Sequence, residues 1–269
     1  MSNSIIRVLL LADTHLGLER PEHPRVDRPR RGDDFFSSFE RALQPAFAGD
    51  ADLVVHGGDV FFRSRVKPGV VMRAFEPLKR IADSGVPVVV IPGNHERSAI
   101  PYPLLAMHPG IHIFDRPRTV ALHLRGVDVA VAGFPCERNQ IEGKFAALVE
   151  RTGWRSVRSV VRLLCLHQTF EGATVGPAGY VFRRHPDVIP GRAIPSGFAA
   201  VLAGHIHRHQ VLTADLSGRP LAAPVFYPGS IERTSAAERN EAKGYVTMEL
   251  AIDGPAGGRV HSWIFHETS

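Results

Sequence analysis

Acid, amide and imidazole side chains recur in this sequence in short clusters that share one position, the end of an apolar run. "ADTHLG" supplies Asp13 and His15, "HGGDVF" supplies Asp59, "IPGNHE" supplies Asn94 and His95, "CLHQ" supplies His167, and "AGHIHRH" supplies His205, His207 and His209. Singly, each has a plain structural explanation: Asp13 can open a turn, Asn94 tolerates left-handed backbone, and His167 can sit at a core edge. Jointly, they point to a metal site. Residues just past the carboxyl ends of strands can converge on one crevice. Alternation puts residues i and i+2 on one side of an extended segment, so Asp13 with His15, and His205 with His207, are expected to face a common centre.

The donor set narrows the ion. Carboxylate, imidazole and amide oxygen without thiolate suit Mn²⁺, Fe²⁺ or Zn²⁺ better than copper, and carry too much imidazole for a calcium or magnesium cage. The donors exceed what one ion takes, so two ions bridged by one carboxylate are expected, with Asp59, central in the order, as the bridge. Two cations roughly 3.5–4 Å apart activate a nucleophilic water and clamp both ends of an in-line displacement at phosphorus. The chemistry expected is phosphoester hydrolysis.

The elements that must position these groups are legible around them. "IIRVLLLA", "ADLVVHG", "VPVVVIP", "VDVAVAGF", "VVRLLCLH" and "FAAVLAG" are continuous rather than alternating apolar runs, the pattern of strands buried on both faces. Phe36, Phe39, Leu43 and Phe47 recur at helical spacing behind the N-cap candidates Asp33 and Asp34, and Val71, Phe75, Leu78 and Ile81 form a second helical stripe. Pro45 and Pro77 predict a kink or an early stop in each. A third helix is predicted over Ile141 to Val149. "KGYVTMELAIDG" and "GRVHSWIF" read as strands around a turn rich in Gly and Pro, with no helix after them. The expected fold is α/β, a layered core of two mixed β-sheets flanked by helices, in a single domain over residues 1–269.

Composition sets the class. A chain of 269 residues with 44% hydrophobic and 22% charged side chains is ordinary for a globular protein, and no run approaches the ~18 apolar residues of a membrane span. The N-terminal run contains Arg7 and lacks a cleavage pattern, so it reads as a strand and not a signal peptide. Cys136 and Cys165 are too few for a disulfide framework, and buried reduced thiols in a cytoplasmic protein are expected. The net charge of +5 favours polyanionic partners, nucleic acid first among them. Arg20, Arg25, Arg28, Arg30 and Arg31 follow the first donor pair directly, and Arg63, Arg65, Arg183 and Arg184 are candidates to join them in a basic rim for phosphate contacts. No interleaved aromatic platform for base recognition is visible.

The stretches "DTHLG", "GGDVF", "GNHE", "HQ" and "GHIH" resemble the calcineurin-like metallophosphoesterase superfamily. "FFRSRVKPG" and "FYPGSIERTSAAERNEAKGYV" narrow the resemblance to the SbcD-type nuclease subunit of DNA repair complexes, over about residues 5 to 250. The resemblance implies that Asp13, His15, Asp59 and His207 hold one ion, that Asp59, Asn94, His167 and His205 hold the second, and that His95 is the acid assisting the leaving oxygen. It further implies a Mn²⁺-dependent exo- or endonuclease acting on DNA, a substrate contact at Arg65, an SbcC-type ATPase partner and a homodimer. His209 receives no role.

Two departures accompany it. Phe62 occupies the place of a histidine implicated in exonuclease action. Family members also continue past the Lys-Gly pair, here Lys243 and Gly244, into a capping domain and an ATPase-binding segment, both expected to be absent here. A small-molecule phosphodiesterase or phosphatase is the alternative within the superfamily, and a non-catalytic DNA-end or ATPase scaffold is the alternative outside enzymes.

Overall fold

The first apolar run is covered on both faces. In strand β1 (Ile5–Leu11), Ile6, Val8 and Leu10 enter one core cluster while Leu9 and Leu11 enter another, the period-two division of a strand between two packed layers. The computed structural model describes residues 5–19, 31–253 and 257–268.

After β1 come strands β2 (Leu53–His56), β3 (Val88–Val90), β4 (Ile111–Ile113), β5 (Arg118–Leu124), β6 (Val127–Gly133) and β7 (Val161–His167). A small hairpin of β8 (Thr174–Val175) and β9 (Tyr180–Val181) follows, then β10 (Ala200–Gly204), β11 (Gln210–Ala214), β12 (Pro220–Tyr227), β13 (Gly244–Ala251) and β14 (Arg259–Glu267). One six-stranded sheet has the order β14-β13-β1-β2-β3-β4 and the other the order β11-β12-β10-β7-β6-β5. Both are mixed. β1 to β4 run parallel, β13 is antiparallel to β1 and β14 antiparallel to β13; β6, β7, β10 and β12 run parallel while β5 and β11 are antiparallel to their neighbours.

The sheets pack face to face through Val8, Leu10, Val55 and Val89 on one side and Val131, Leu163, Leu202 and Phe226 on the other. The outer face of the first sheet is covered by helices α1 (Gly32–Ala42) and α3 (Pro68–Asp83), through Phe35, Phe39, Phe75 and Leu78. Phe145 and Val149 of α5 (Ile141–Arg151) cover the outer face of the second. The remaining helices are single turns, α2 (Gln44–Phe47) and α4 (Pro103–Ala106). The expected α/β core of two mixed sheets between helices is the observed one.

Local details differ from expectation in instructive ways. Pro45 does end the first helix, and the chain restarts in α2 with the proline in its first turn. Pro77 does not stop α3, which continues to Asp83 because Val71, Ala74, Phe75, Leu78 and Ile81 all remain buried along one stripe. Asp33 and Asp34 are not caps; they lie in the first turn of α1, where a negative charge complements the helix dipole. Four strands of the two large sheets absent from the sequence reading, β4, β5, β11 and β12, lie at or next to sheet edges, where polar and apolar residues mix. Both cysteines are free and buried.

Candidate metal centre

The carboxyl ends of five parallel strands meet where the two sheets touch. Leu11 of β1 pairs with His56 of β2, His56 with Val90 of β3, and Gly204 of β10 with His167 of β7. A Cβ on Gly57 would lie 3.0 Å from the backbone nitrogen of Gly204, so glycine at both positions lets the sheets close. The loops after β1 and β2 then zip together: Asp13 N–H donates to the Gly58 carbonyl at 2.8 Å and His15 N–H to that of Asp59 at 3.0 Å.

The donors converge for a reason other than strand alternation. Asp13, His15, Asp59 and His205 all have positive φ, at 51, 46, 52 and 86°, and they lie beyond the last residues of their strands. Left-handed backbone at a non-glycine residue costs on the order of 1–3 kcal/mol and persists where the surroundings enforce it. Four such residues around one centre mark it as a functional site.

The geometry is tight. His15 Nε2 and His207 Nε2 are 3.0 Å apart, and His207 Nε2 is 3.8 Å from an Asp13 carboxylate oxygen. Asn94 Oδ1 lies 3.0 Å from His167 Nε2 and 2.8 Å from His205 Nδ1. Asp59 Oδ2 is 3.4 Å from His167 Nε2 and 3.8 Å from His95 Nε2. Three groups of ligand atoms each fall within 4.8 Å: Asp13, His15 and His207; His15, Asp59 and His95; Asp13, Asp59 and His167. His95 thus stands in the cluster itself and not merely beside it.

These residues fit a pair of divalent cations. His15 is fully buried, its Nδ1 has no hydrogen-bond partner, and its Nε2 faces another imidazole nitrogen at 3.0 Å, an arrangement that a shared cation would satisfy. Burial, then the neighbouring His207, pushes the His15 imidazole well below its usual range, and burial with His167 nearby pushes His205 down to about 3. Both are held neutral, which is the metal-binding form. Burial raises the Asp13 carboxyl. Burial alone would also raise Asp59, but the charge and hydrogen bond of His167 outweigh it and hold it well below the usual range. Burial likewise opposes charge on His167, yet Asp59 prevails and lifts it to about 9.

Several supporting groups escaped the sequence reading. His167 Nδ1 donates to the Gly57 carbonyl at 2.8 Å, fixing the tautomer that aims Nε2 inward. His207 Nδ1 is 3.0 Å from Glu238 Oε1, a carboxylate–imidazole pair of the kind that orients metal ligands. Glu238 also accepts from the Thr234 hydroxyl at 2.6 Å and pairs with Lys243 at 2.9 Å; the fully buried Lys243 ammonium donates in turn to the His207 carbonyl at 2.9 Å. Glu96 is buried and accepts the N–H groups of Phe61 and Gly93, both at 2.7 Å, tying the Asp59 loop to the Asn94 loop. Burial and the nearby Asp59 push its carboxyl up to about 8. His56 joins Thr14 Oγ1 at 3.0 Å. The "GSIERTSAAERNEAKGY" stretch that signalled the subfamily carries Glu238 and Lys243, but their reach to His207 depends on the fold.

The periphery is less uniform. Phe62 packs at 5.6 Å between ring centroids from His95, and its carbonyl accepts from His95 Nδ1 at 2.6 Å, so the backbone at this position orients His95 whatever its side chain. Arg65 is exposed and, among the described residues, has no hydrogen-bond or ion-pair partner. Arg63 lies over the Phe62 ring. Arg183 is exposed, and Arg184 pairs with Glu142. Arg20, Arg25, Arg28 and Arg30 fall outside the described residues. His209 stacks on Phe265 at 4.1 Å and meets the Tyr227 carbonyl at 2.9 Å, which makes it a packing residue.

A family model described as calcineurin-like phosphoesterase matches residues 6–209. The chain belongs to the calcineurin-like phosphoesterases. Among relatives of this phosphoesterase, the DNA double-strand break repair protein Mre11 of Methanosarcina mazei is 28% identical over 256 residues, covering 93% of this chain and 37% of that one. Mre11 of Haloferax volcanii is 38% identical over 90 residues, 34% of this chain and 19% of the relative. The uncharacterized metallophosphoesterase YhaO of Bacillus subtilis is 25% identical over 247 residues, 89% and 56% of the two chains. The phosphoesterase thus spans between 19% and 56% of the length of these relatives. Among its described residues, no helix is long and apolar enough to cross a membrane.

Proposed function

We propose that this phosphoesterase is a two-metal phosphodiesterase that hydrolyses DNA, with Mn²⁺ as the working ion. The observation that carries the metal reading is the clustering of Asp13, His15, Asp59, His95, His167 and His207 ligand atoms into three overlapping groups, two of which contain Asp59; likeness to Mre11 over most of the chain supports DNA as substrate. Asp13, His15, Asp59 and His207 would hold one ion, and Asp59, Asn94, His167 and His205 the other. When bound, such a pair supplies an activated water and Lewis acidity at phosphorus.

The protein's own groups complete the chemistry. The Phe62 carbonyl holds His95 by its Nδ1–H, so that Nε2 faces the centre, where the ring in its imidazolium form gives the Nε2 proton to the departing oxygen. Arg65, exposed and without a partner among the described residues, contacts a backbone phosphate of the substrate. The single-domain organisation, the cytoplasmic location, an SbcC-type ATPase partner and a homodimer belong to the same proposal and rest on the sequence.

The test is a salt-titrated cleavage assay with added Mn²⁺, comparing linear DNA, closed circular DNA and a chromogenic diester. DNA cleavage that weakens steeply with salt is the expected result. Cleavage of the diester with both DNAs left intact would favour the second reading, a small-molecule phosphodiesterase, for which phenylalanine at position 62 is the supporting observation.

A further inference from the structure

Beside the metal centre lies a cavity of about 510 Å³ lined by Arg31, Arg233, Thr234, Ser235, Ala236 and Arg239. Among the described residues, no carboxylate lines it. Glu232, which adjoins it in sequence, is buried and already engaged, with Arg31 at 2.9 Å and with the Arg233 N–H at 2.7 Å. Arg31 is further held by Asp34 at 3.0 Å, and Arg233 by the carbonyls of Arg239 and Glu241 at 3.2 and 3.1 Å. Two guanidinium groups are therefore fixed at the wall. The third, Arg239, is exposed, and among the described residues its side chain has no hydrogen-bond or ion-pair partner.

Guanidinium forks match the oxygens of a phosphate. Thr234 places this cavity relative to the metal centre. It lines the wall, its hydroxyl donates to Glu238, and that same oxygen is 3.3 Å from His207 Nδ1. His207 Nε2, across the ring, faces the metal centre. One imidazole ring therefore lies between Thr234 on the cavity wall and the metal centre.

We propose that this cavity binds the phosphate adjacent to the scissile one in a polynucleotide, which gives the enzyme its preference for nucleic acid over small diesters. The inference rests on the nucleic-acid reading above. A chromogenic diester reaches the metal centre alone, whereas a strand occupies both places.

The test uses Arg239→Ala and Arg239→Glu in the full chain. Binding of a labelled single-stranded oligodeoxynucleotide is followed by fluorescence anisotropy in EDTA across a salt series, and kcat/KM with Mn²⁺ is measured for the oligonucleotide and for a chromogenic diester. The expected result for Arg239→Glu is oligonucleotide binding weakened on the order of tenfold, with the salt slope flattened by about 0.7, and a similar fall in the ratio of kcat/KM for oligonucleotide over diester. An unchanged ratio and slope, with wild-type DNA cleavage intact, would overturn the subsite alone. Equal losses on both substrates would overturn it too, since they would place Arg239 in support of the metal centre. A wild type that cleaves the diester but neither binds nor cleaves DNA would overturn both this site and the reading beneath it.

Discussion

Glu238 Oε1 lies 3.0 Å from His207 Nδ1, and the opposite nitrogen of that ring lies 3.0 Å from His15 Nε2. One carboxylate therefore decides which way the His207 imidazole presents its lone pair. Burial would lower His207, but the hydrogen bond to Glu238 and the charge of Asp13 raise it. Removing such an orienting partner costs 10- to 100-fold in metal affinity as an order of magnitude. Glu238→Ala should weaken Mn²⁺ binding by about that factor, read by electron paramagnetic resonance titration, with Glu238→Gln less affected because its amide oxygen still accepts the Nδ1 proton. Equal affinities in all three proteins would reduce Glu238 to a packing residue.

His95 separates chemistry from metal binding. Its Nδ1 is committed to the Phe62 carbonyl and its Nε2 faces the cluster at 3.8 Å from Asp59. A positioned general acid contributes about 10²- to 10⁴-fold in rate. His95→Asn should lose turnover by that order while still binding two Mn²⁺ per chain, measured by equilibrium dialysis beside the cleavage assay. Loss of one ion instead would make His95 a ligand, which its place in the His15–Asp59–His95 group also permits.

Most donors were legible in the sequence because each ends an apolar run, and a run buried on both faces must end where its sheet does. Asp13, Asp59, Asn94 and His167 could be placed this way without coordinates. The geometry that joins them could not. Strand alternation was the expected device for Asp13 and His15, whereas the chain uses left-handed turns, which depend on contacts with the Gly58–Asp59 loop some 45 residues away. Glu96, Glu238 and the contacts of Lys243 escaped notice for the same reason: a buried charge resembles a surface charge until its partners are brought to it. The edge strands β4 and β5 escaped because half-exposed strands lack the continuous apolar signal.

His56 makes stability depend on pH. The ring is fully buried between the Thr14 hydroxyl and the Gly58 N–H. Since Thr14 gives its own proton to the Val60 carbonyl at 3.0 Å, His56 must donate from Nε2 and accept at Nδ1, which requires the neutral form. Burial, then the nearby His167, lowers it from 6.5 to about 3. The unfolded chain binds this proton first, so stability is full above about pH 6.5 and declines as pH falls toward 3, by about 1.4 kcal/mol per pH unit from this group. Urea midpoints measured in EDTA between pH 7 and pH 4 should fall with that sign. His56→Asn, which keeps a donor and an acceptor without a titrating ring, should flatten the profile. A profile of equal steepness in the variant would show that other groups set it.

Gly204 offers a purely steric test of how the two sheets meet at the site. Its φ lies outside the left-handed range, so alanine is conformationally acceptable there, and the only penalty is contact. A Cβ at this position would collide with the Gly57 carbonyl oxygen and stand 2.8 Å from His167 Nδ1, the two atoms that hydrogen-bond to fix the His167 tautomer. Gly143 in α5 is the matched control, because a Cβ there meets nothing within 4 Å and removing glycine from a helix interior gains roughly 0.5–1 kcal/mol. Gly204→Ala should therefore lose about 1–3 kcal/mol through overpacking and bind Mn²⁺ more weakly, while Gly143→Ala gains stability and binds metal normally. Urea denaturation and Mn²⁺ titration of both variants give the answer. If Gly204→Ala proved as stable and as tight in metal binding as wild type, the close approach of Gly57, His167 and Gly204 would not be what holds the second set of ligands in place.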